Sequence, residues 1–344
     1  MERKYSFEAG LNVFTSYKTI IPVEDFSILK KIDPHRYHIY GILSYNQFFI
    51  RKKDIQKRND GIKVTLFTII EDKEVDYELP FLEFIEGADH RKIEIRVSYP
   101  GTKMILVIKD EEFLRKNPKV KRIVEIKAQN LYMFSAKSIV SREEYEILYI
   151  GQSYGKKGRR TALDRLEAHS TLQKILTEYK EEHPDKHIYI LLLEMEARLA
   201  MSFDGISKKF TKSEDESMEH LKKVCSDLPK EEQIINIVEA AMINYFKPEY
   251  NVNFVENFPD KNHKGYRQYF DLDYNMLTIE IDLSFDDAPS VQFYTSTNKV
   301  TSSLDFIRYK LFNDNTRKSM YDIFEKMQSK DINFILKLFY IFAW

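Results

Sequence analysis

The chain has 344 residues, of which 43% are apolar and 31% charged, and its formal net charge is −1. That length suits two or three domains, and the composition supplies real cores while excluding a largely disordered chain. Near-neutral charge argues against a protein that coats DNA non-specifically, so any nucleic-acid partner must be held by local basic patches.

A single cysteine, Cys225, excludes an intramolecular disulfide and a thiolate-rich zinc site. The N-terminal MERKYSFEAG has no apolar signal core, and the longest apolar stretch, INFILKLFYIFAW at 332–344, is interrupted by Lys337. The expectation is a soluble, cytoplasmic protein with no membrane partner.

Residues 1–120 read as a strand-rich domain. YHIYGIL, QFFIRKK, IKVTLFTII, KIEIRVSY and KMILVIK are β-branched or aromatic runs separated by turn material such as RNDG and YPGT. His35 and His38 lie three apart with no third ligand at metal-site spacing, so they read as surface or strand histidines. After the basic connection RKNPKVKR, the segment 123–134 reads as a strand, and 145–150 as its hairpin partner.

A helix over about 162–180 follows, then HIYILLLEME at 187–196, uniformly apolar and hence a central strand. A second helix is expected at 231–246, ended by Pro248. Beyond residue 259 the chain reads as strands, GYRQYFDLDY, NMLTIEIDLSF and SVQFYTS, and then forty helical residues. The helix from Lys330 is apolar around most of its circumference and is expected to pack into the protein's own core, with a dimer seam as the other use.

Three places carry groups suited to chemistry. Thr161 and Asp164 fit a capping box, which puts Arg165 and His169 on one face of the helix near its positive dipole end. Glu239 sits among Val238, Ala240, Ala241, Met242 and Ile243, so if buried it needs a partner or a cation. A hard oxygen ligand beside a phosphate-binding helix points to magnesium. The loop GQSYGKKGRR lacks the spacing of a nucleotide P-loop, but Lys156, Lys157, Arg159 and Arg160 are placed to meet a nucleic-acid backbone.

Together these pieces resemble the GIY-YIG nuclease family over residues 123–256. YIG is literal at Tyr149-Ile150-Gly151, and Asn130-Leu131-Tyr132 stands where the family has its first triplet, with asparagine replacing the glycine. Arg165 matches the catalytic arginine, His169 a histidine four residues on, Glu239 the metal-binding glutamate and Asn251 a recurring asparagine. Longer inserts than in compact members lie between Tyr149 and Arg165 and between Arg165 and Glu239.

The resemblance implies an α+β fold with a small mixed sheet flanked by helices at 121–258, between the strand-rich N-terminal domain and an accessory region at 259–344. It also implies a nuclease that hydrolyses phosphodiester bonds, most readily of double-stranded DNA, in restriction or host defence. Glu239 would hold Mg2+, with Mn2+ as a substitute. Arg165 would neutralise transition-state charge, Tyr132 would act as base helped by His169, and Tyr149 and Asn251 would complete the site. Cutting both strands with one site per chain calls for a homodimer or two sequential nicks. The competing reading is a catalytically degenerate GIY-YIG-like module that binds nucleic acid or protein through the same groove. A third is an interaction protein in which YIG is accidental.

Overall fold

In the computed structural model, residues 2–152, 162–166, 169–203, 207–286, 288–300, 302–312 and 317–319 are described. They form an α+β fold whose centre is a seven-stranded mixed sheet. Its strands are β1 (Phe7–Pro22), β2 (Ile39–Asn46), β3 (Arg142–Gln152), β4 (Lys186–Phe203), β5 (Met276–Asp282), β6 (Ser290–Tyr294) and β7 (Leu304–Lys310). Their spatial order is β6-β3-β2-β4-β1-β5-β7. The sheet therefore takes strands from all three stretches that the sequence separates.

β4 shows why its sequence is almost uniformly apolar. Ile188, Ile190 and Leu192 face one layer, with Tyr37, Tyr40, Leu166 and Ile175, while Tyr189, Leu191 and Leu193 face the other. A strand buried on both sides loses the alternation that marks a half-exposed one. The second layer includes the helix Glu231–Phe246, which buries Ile235, Val238, Ala241 and Met242 against the sheet. Lys247, left-handed at φ 49°, caps the helix end, and Pro248 follows.

Between β2 and β3 the chain leaves the sheet and builds a lobe with its own core, including Phe48, Ile50, Leu66, Ile93, Met104, Leu106, Leu131 and Tyr132. Two three-stranded antiparallel sheets make up much of it. One is Phe49–Ile50 with Thr65–Ile70 and Lys73–Glu78; the other is Ile93–Val97 with Lys103–Ile108 and Ile123–Lys127.

Several sequence expectations are corrected here. The strand foreseen at 123–134 stops at Lys127, and Ala128–Ile139 is a helix, because Ala128, Leu131, Tyr132, Ser135 and Ala136 are buried at helical spacing. The hairpin with 145–150 is accordingly absent, and β3 pairs with β2 and β6 instead. GYRQYFDLDY carries the short helix Gln268–Asp271 rather than a strand, and the start of the foreseen terminal helix is strand β7. The stretch from residue 320 to the end of that terminal segment, including Lys330 onward, lies outside the described residues, as does Thr161 of the capping box. Among the described residues no helix is long and apolar enough to cross a membrane.

Candidate functional site

The YIG segment lies on β3 beside β2, in a register that sets Gly151 opposite Tyr40, Ile150 opposite Gly41 and Tyr149 opposite Ile42. The register shifts between Ile147 and Tyr149. That bulge lets Leu148 and Tyr149 share the face of Tyr40, while Ile147 and Ile150 point into the opposite core. Gly151 is required by closeness: a Cβ there would lie 2.6 Å from Tyr40 Oη and 2.8 Å from Tyr149 Cε1.

Three rings converge over this point. Tyr40 and Tyr149 are 6.2 Å apart between centroids, and the His169 ring lies 5.6 Å from Tyr40 and 5.1 Å from Tyr149. His169 is held because its Nδ1 accepts the Leu172 backbone N–H at 3.1 Å, capping the helix Ser170–Lys174. The helix foreseen over 162–180 is thus broken at His169, and Arg165 sits on the short preceding helix Ala162–Leu166.

Arg165 is exposed, and among the described residues no close ion pair engages it. Its positive charge is felt by Tyr40, Tyr149 and Glu239, which places the four groups in one electrostatic neighbourhood. Burial raises the Tyr40 hydroxyl well above the usual tyrosine value, and the neighbouring Tyr149 and Glu239 push it further up. Burial likewise raises Tyr149, with Glu239 adding to the shift. Neither phenol is poised to act as a base near neutrality. The Tyr40 oxygen is fully enclosed and closes no hydrogen bond of ordinary geometry, but Arg165 stands close enough to act on it as a donor, and that contact together with the Arg165 charge lowers its pKa.

Glu239 projects from the helix Glu231–Phe246 and is half-buried. Burial raises its carboxyl from the ordinary 4.5 to about 7, against the pull of the Gln152 backbone N–H and the Arg165 charge. At neutral pH the group is therefore divided between acid and carboxylate.

Asn251 serves the strand rather than the glutamate. Its side-chain amide donates to the Ile150 carbonyl at 2.8 Å and its oxygen accepts the Ile150 N–H at 2.9 Å, while Tyr250 N–H bonds the Leu148 carbonyl at 3.1 Å. β6 accompanies β3 only from Arg142 to Glu146, so the segment around Asn251 satisfies the backbone that β6 leaves uncovered.

Tyr149, Arg165, His169 and Glu239 are thus brought together, with Asn251 bracing them from behind. Tyr132 is not among them. It lies in the core of the lobe, stacked on Phe48 at 3.7 Å, with its hydroxyl 2.9 Å from that of Tyr45. Its neighbour Asn130 donates to Asp25 at 3.2 Å. The tyrosine that does face Tyr149 is Tyr40, which the sequence reading missed. A signal was present: Ile39-Tyr40-Gly41 precedes Tyr149-Ile150-Gly151, and both are short aromatic runs ending in glycine. Lys156, Lys157, Arg159 and Arg160 lie outside the described residues.

A metal-dependent active site is not supported. Among the described residues, no group of three or more His, Cys, Asp or Glu could hold a metal ion. The groups that bear on Glu239 are an arginine, a backbone N–H and two tyrosines, which supply one carboxylate and a repelling cation. A proton that stays on Glu239 up to about 7 competes further with any cation. The reading as a magnesium- or manganese-dependent endonuclease is corrected accordingly, and with it the residue roles built on a bound metal. Comparisons with protein-family models, with curated proteins and with solved structures found no match.

Proposed function

We propose that the β2–β3 unit is a GIY-YIG-like module that binds the phosphate backbone of a nucleic acid without cutting it. The observation that carries this reading is the pairing of an exposed Arg165, in no ion pair among the described residues, with the buried Tyr40 hydroxyl beside it, whose oxygen closes no hydrogen bond of ordinary geometry. A guanidinium presents a rigid fork of donors that suits phosphate oxygens, and a phenol O–H supplies one more. A phosphate oxygen reaching between them would relieve the cost of an enclosed hydroxyl with no acceptor. Glu239 fits the same reading, since its protonated form would not repel the incoming anion.

The register of Tyr40–Ile42 against Tyr149–Gly151 supports the family likeness, and the insertion of a whole lobe between the two strands accounts for the missing short hairpin. The absence of a three-ligand cluster among the described residues favours binding over hydrolysis.

The test is binding of single- and double-stranded DNA by fluorescence anisotropy in EDTA, across a salt series, for the wild type and Arg165→Ala. Loss of one phosphate contact should weaken binding by about tenfold and lower the salt slope by about 1. Unchanged affinity and slope in the variant would remove the basis of the reading.

A further inference from the structure

β4 is much longer than the strand beside it. Its pairing with β2 ends at Leu193, opposite Ile39, whereas its pairing with β1 continues to Phe203. His38 N–H reaches the Leu193 carbonyl, and His35 Nδ1 contacts Glu194 at 2.9 Å. From Met195 to Phe203, however, no described backbone pairs with the free side of the strand.

An open edge of this length is usually blunted by lysine, proline or inward charges. Other open edges in the protein are treated in this way. Beyond its pairing with β5, β1 carries Lys18 and ends in Pro22. The edge strand Ile93–Val97 neutralises its own charges, with Arg96 on Glu94 at 2.6 Å and Lys109 on Glu94 at 2.9 Å. The free stretch of β4 has no lysine or proline. Its two charged residues, Glu196 and Arg198, are exposed and form no ion pair among the described residues; Arg198 rests instead over the Phe14 ring at 4.0 Å.

We propose that this edge pairs antiparallel with the same edge of a second copy of the chain, centred on Ala197. In that register Ala197 meets its own copy, Met195 meets Leu199, and Glu196 meets Arg198 twice, once on each side of the two-fold axis. Because residues directly opposite each other share a face, both charge pairs form together. Moving the centre one residue either way sets Glu196 against Glu196 or Arg198 against Arg198. The charges thus select one register of a self-complementary edge, which is what identifies the occupant as a second copy.

The test is sedimentation velocity of the full chain over a wide concentration range, with Glu196→Arg, Arg198→Glu and the doubly reversed variant. Both positions are exposed, so the substitutions leave the monomer fold intact, which circular dichroism checks. The expected result is a concentration-dependent dimer whose dissociation constant rises about tenfold or more in each single variant and returns towards wild type in the double. A monomer at every concentration would overturn the proposal. So would a dimer indifferent to both reversals, or one that the double reversal fails to restore.

Discussion

Two clusters in this protein are built from the same parts, tyrosines gathered round one glutamate whose carboxyl burial raises, and they end in opposite states. In the cluster between the lobe and the sheet, Tyr132 and Tyr145 both bond the Glu143 carboxyl, and the Tyr45 hydroxyl meets that of Tyr132. Burial raises the Glu143 carboxyl, and every member has its partner inside the protein. In the cluster on β2 and β3, the Tyr40 hydroxyl closes no hydrogen bond of ordinary geometry, and its polar neighbour Arg165 stands exposed at the rim. A closed network of this kind fixes structure, whereas one with an enclosed donor left over is arranged for something that arrives. Tyrosine content alone cannot tell the two apart.

The largest separation should come from Tyr132→Ala, which empties a stacked position in the core of the lobe. A loss of about 4 kcal/mol in urea unfolding is expected. A loss below about 1 kcal/mol would mean that the lobe does not depend on this contact.

Glu239 gives the next effect, and its sign is fixed by linkage. The folded protein keeps a proton on Glu239 up to about 7, while an unfolded chain releases it near 4.5. Between those values the folded state binds more protons, so stability falls as pH rises through the window and stays low above it. Glu239→Gln should remove that slope, leaving stability at pH 4 unchanged and raising it above pH 7 by up to about 3 kcal/mol. Parallel pH profiles of the two proteins would show that Glu239 is not held as described.

The sharpest pair is the smallest in energy. Tyr132→Phe keeps the ring but strips a satisfied hydroxyl, and should cost about 1–2 kcal/mol. Tyr40→Phe strips an unsatisfied one, and should change stability by less than about 0.5 kcal/mol while weakening DNA binding severalfold. Equal stability losses in the two variants would erase the contrast between the clusters.

Local chemistry made part of this protein legible. The helix at 231–246 follows from its apolar spacing and from Pro248 behind it, and the buried strand near 187–196 from its unbroken apolar run. Arg165, His169 and Glu239 were recognisable because each is a polar group beside an apolar stretch, where its placement needs a reason. The segment 128–139 was misread because its helical spacing begins immediately after the strand Ile123–Lys127, with no glycine, proline or capping side chain to mark the change.

The sequence by itself determined which segments could be buried and which polar groups had to be accounted for, since hydrophobic period and residue chemistry are local properties. Only the tertiary structure decided which tyrosine faces Tyr149. Tyr40 and Tyr132 are both aromatic, both near polar residues and both wholly buried. Strand pairing brings Tyr40 to Gly151 across more than a hundred residues of chain, while the core of the lobe takes Tyr132 away. Pairing of that kind is set by the register of backbone hydrogen bonds and by what each face of the sheet must bury, and no local window of sequence contains either.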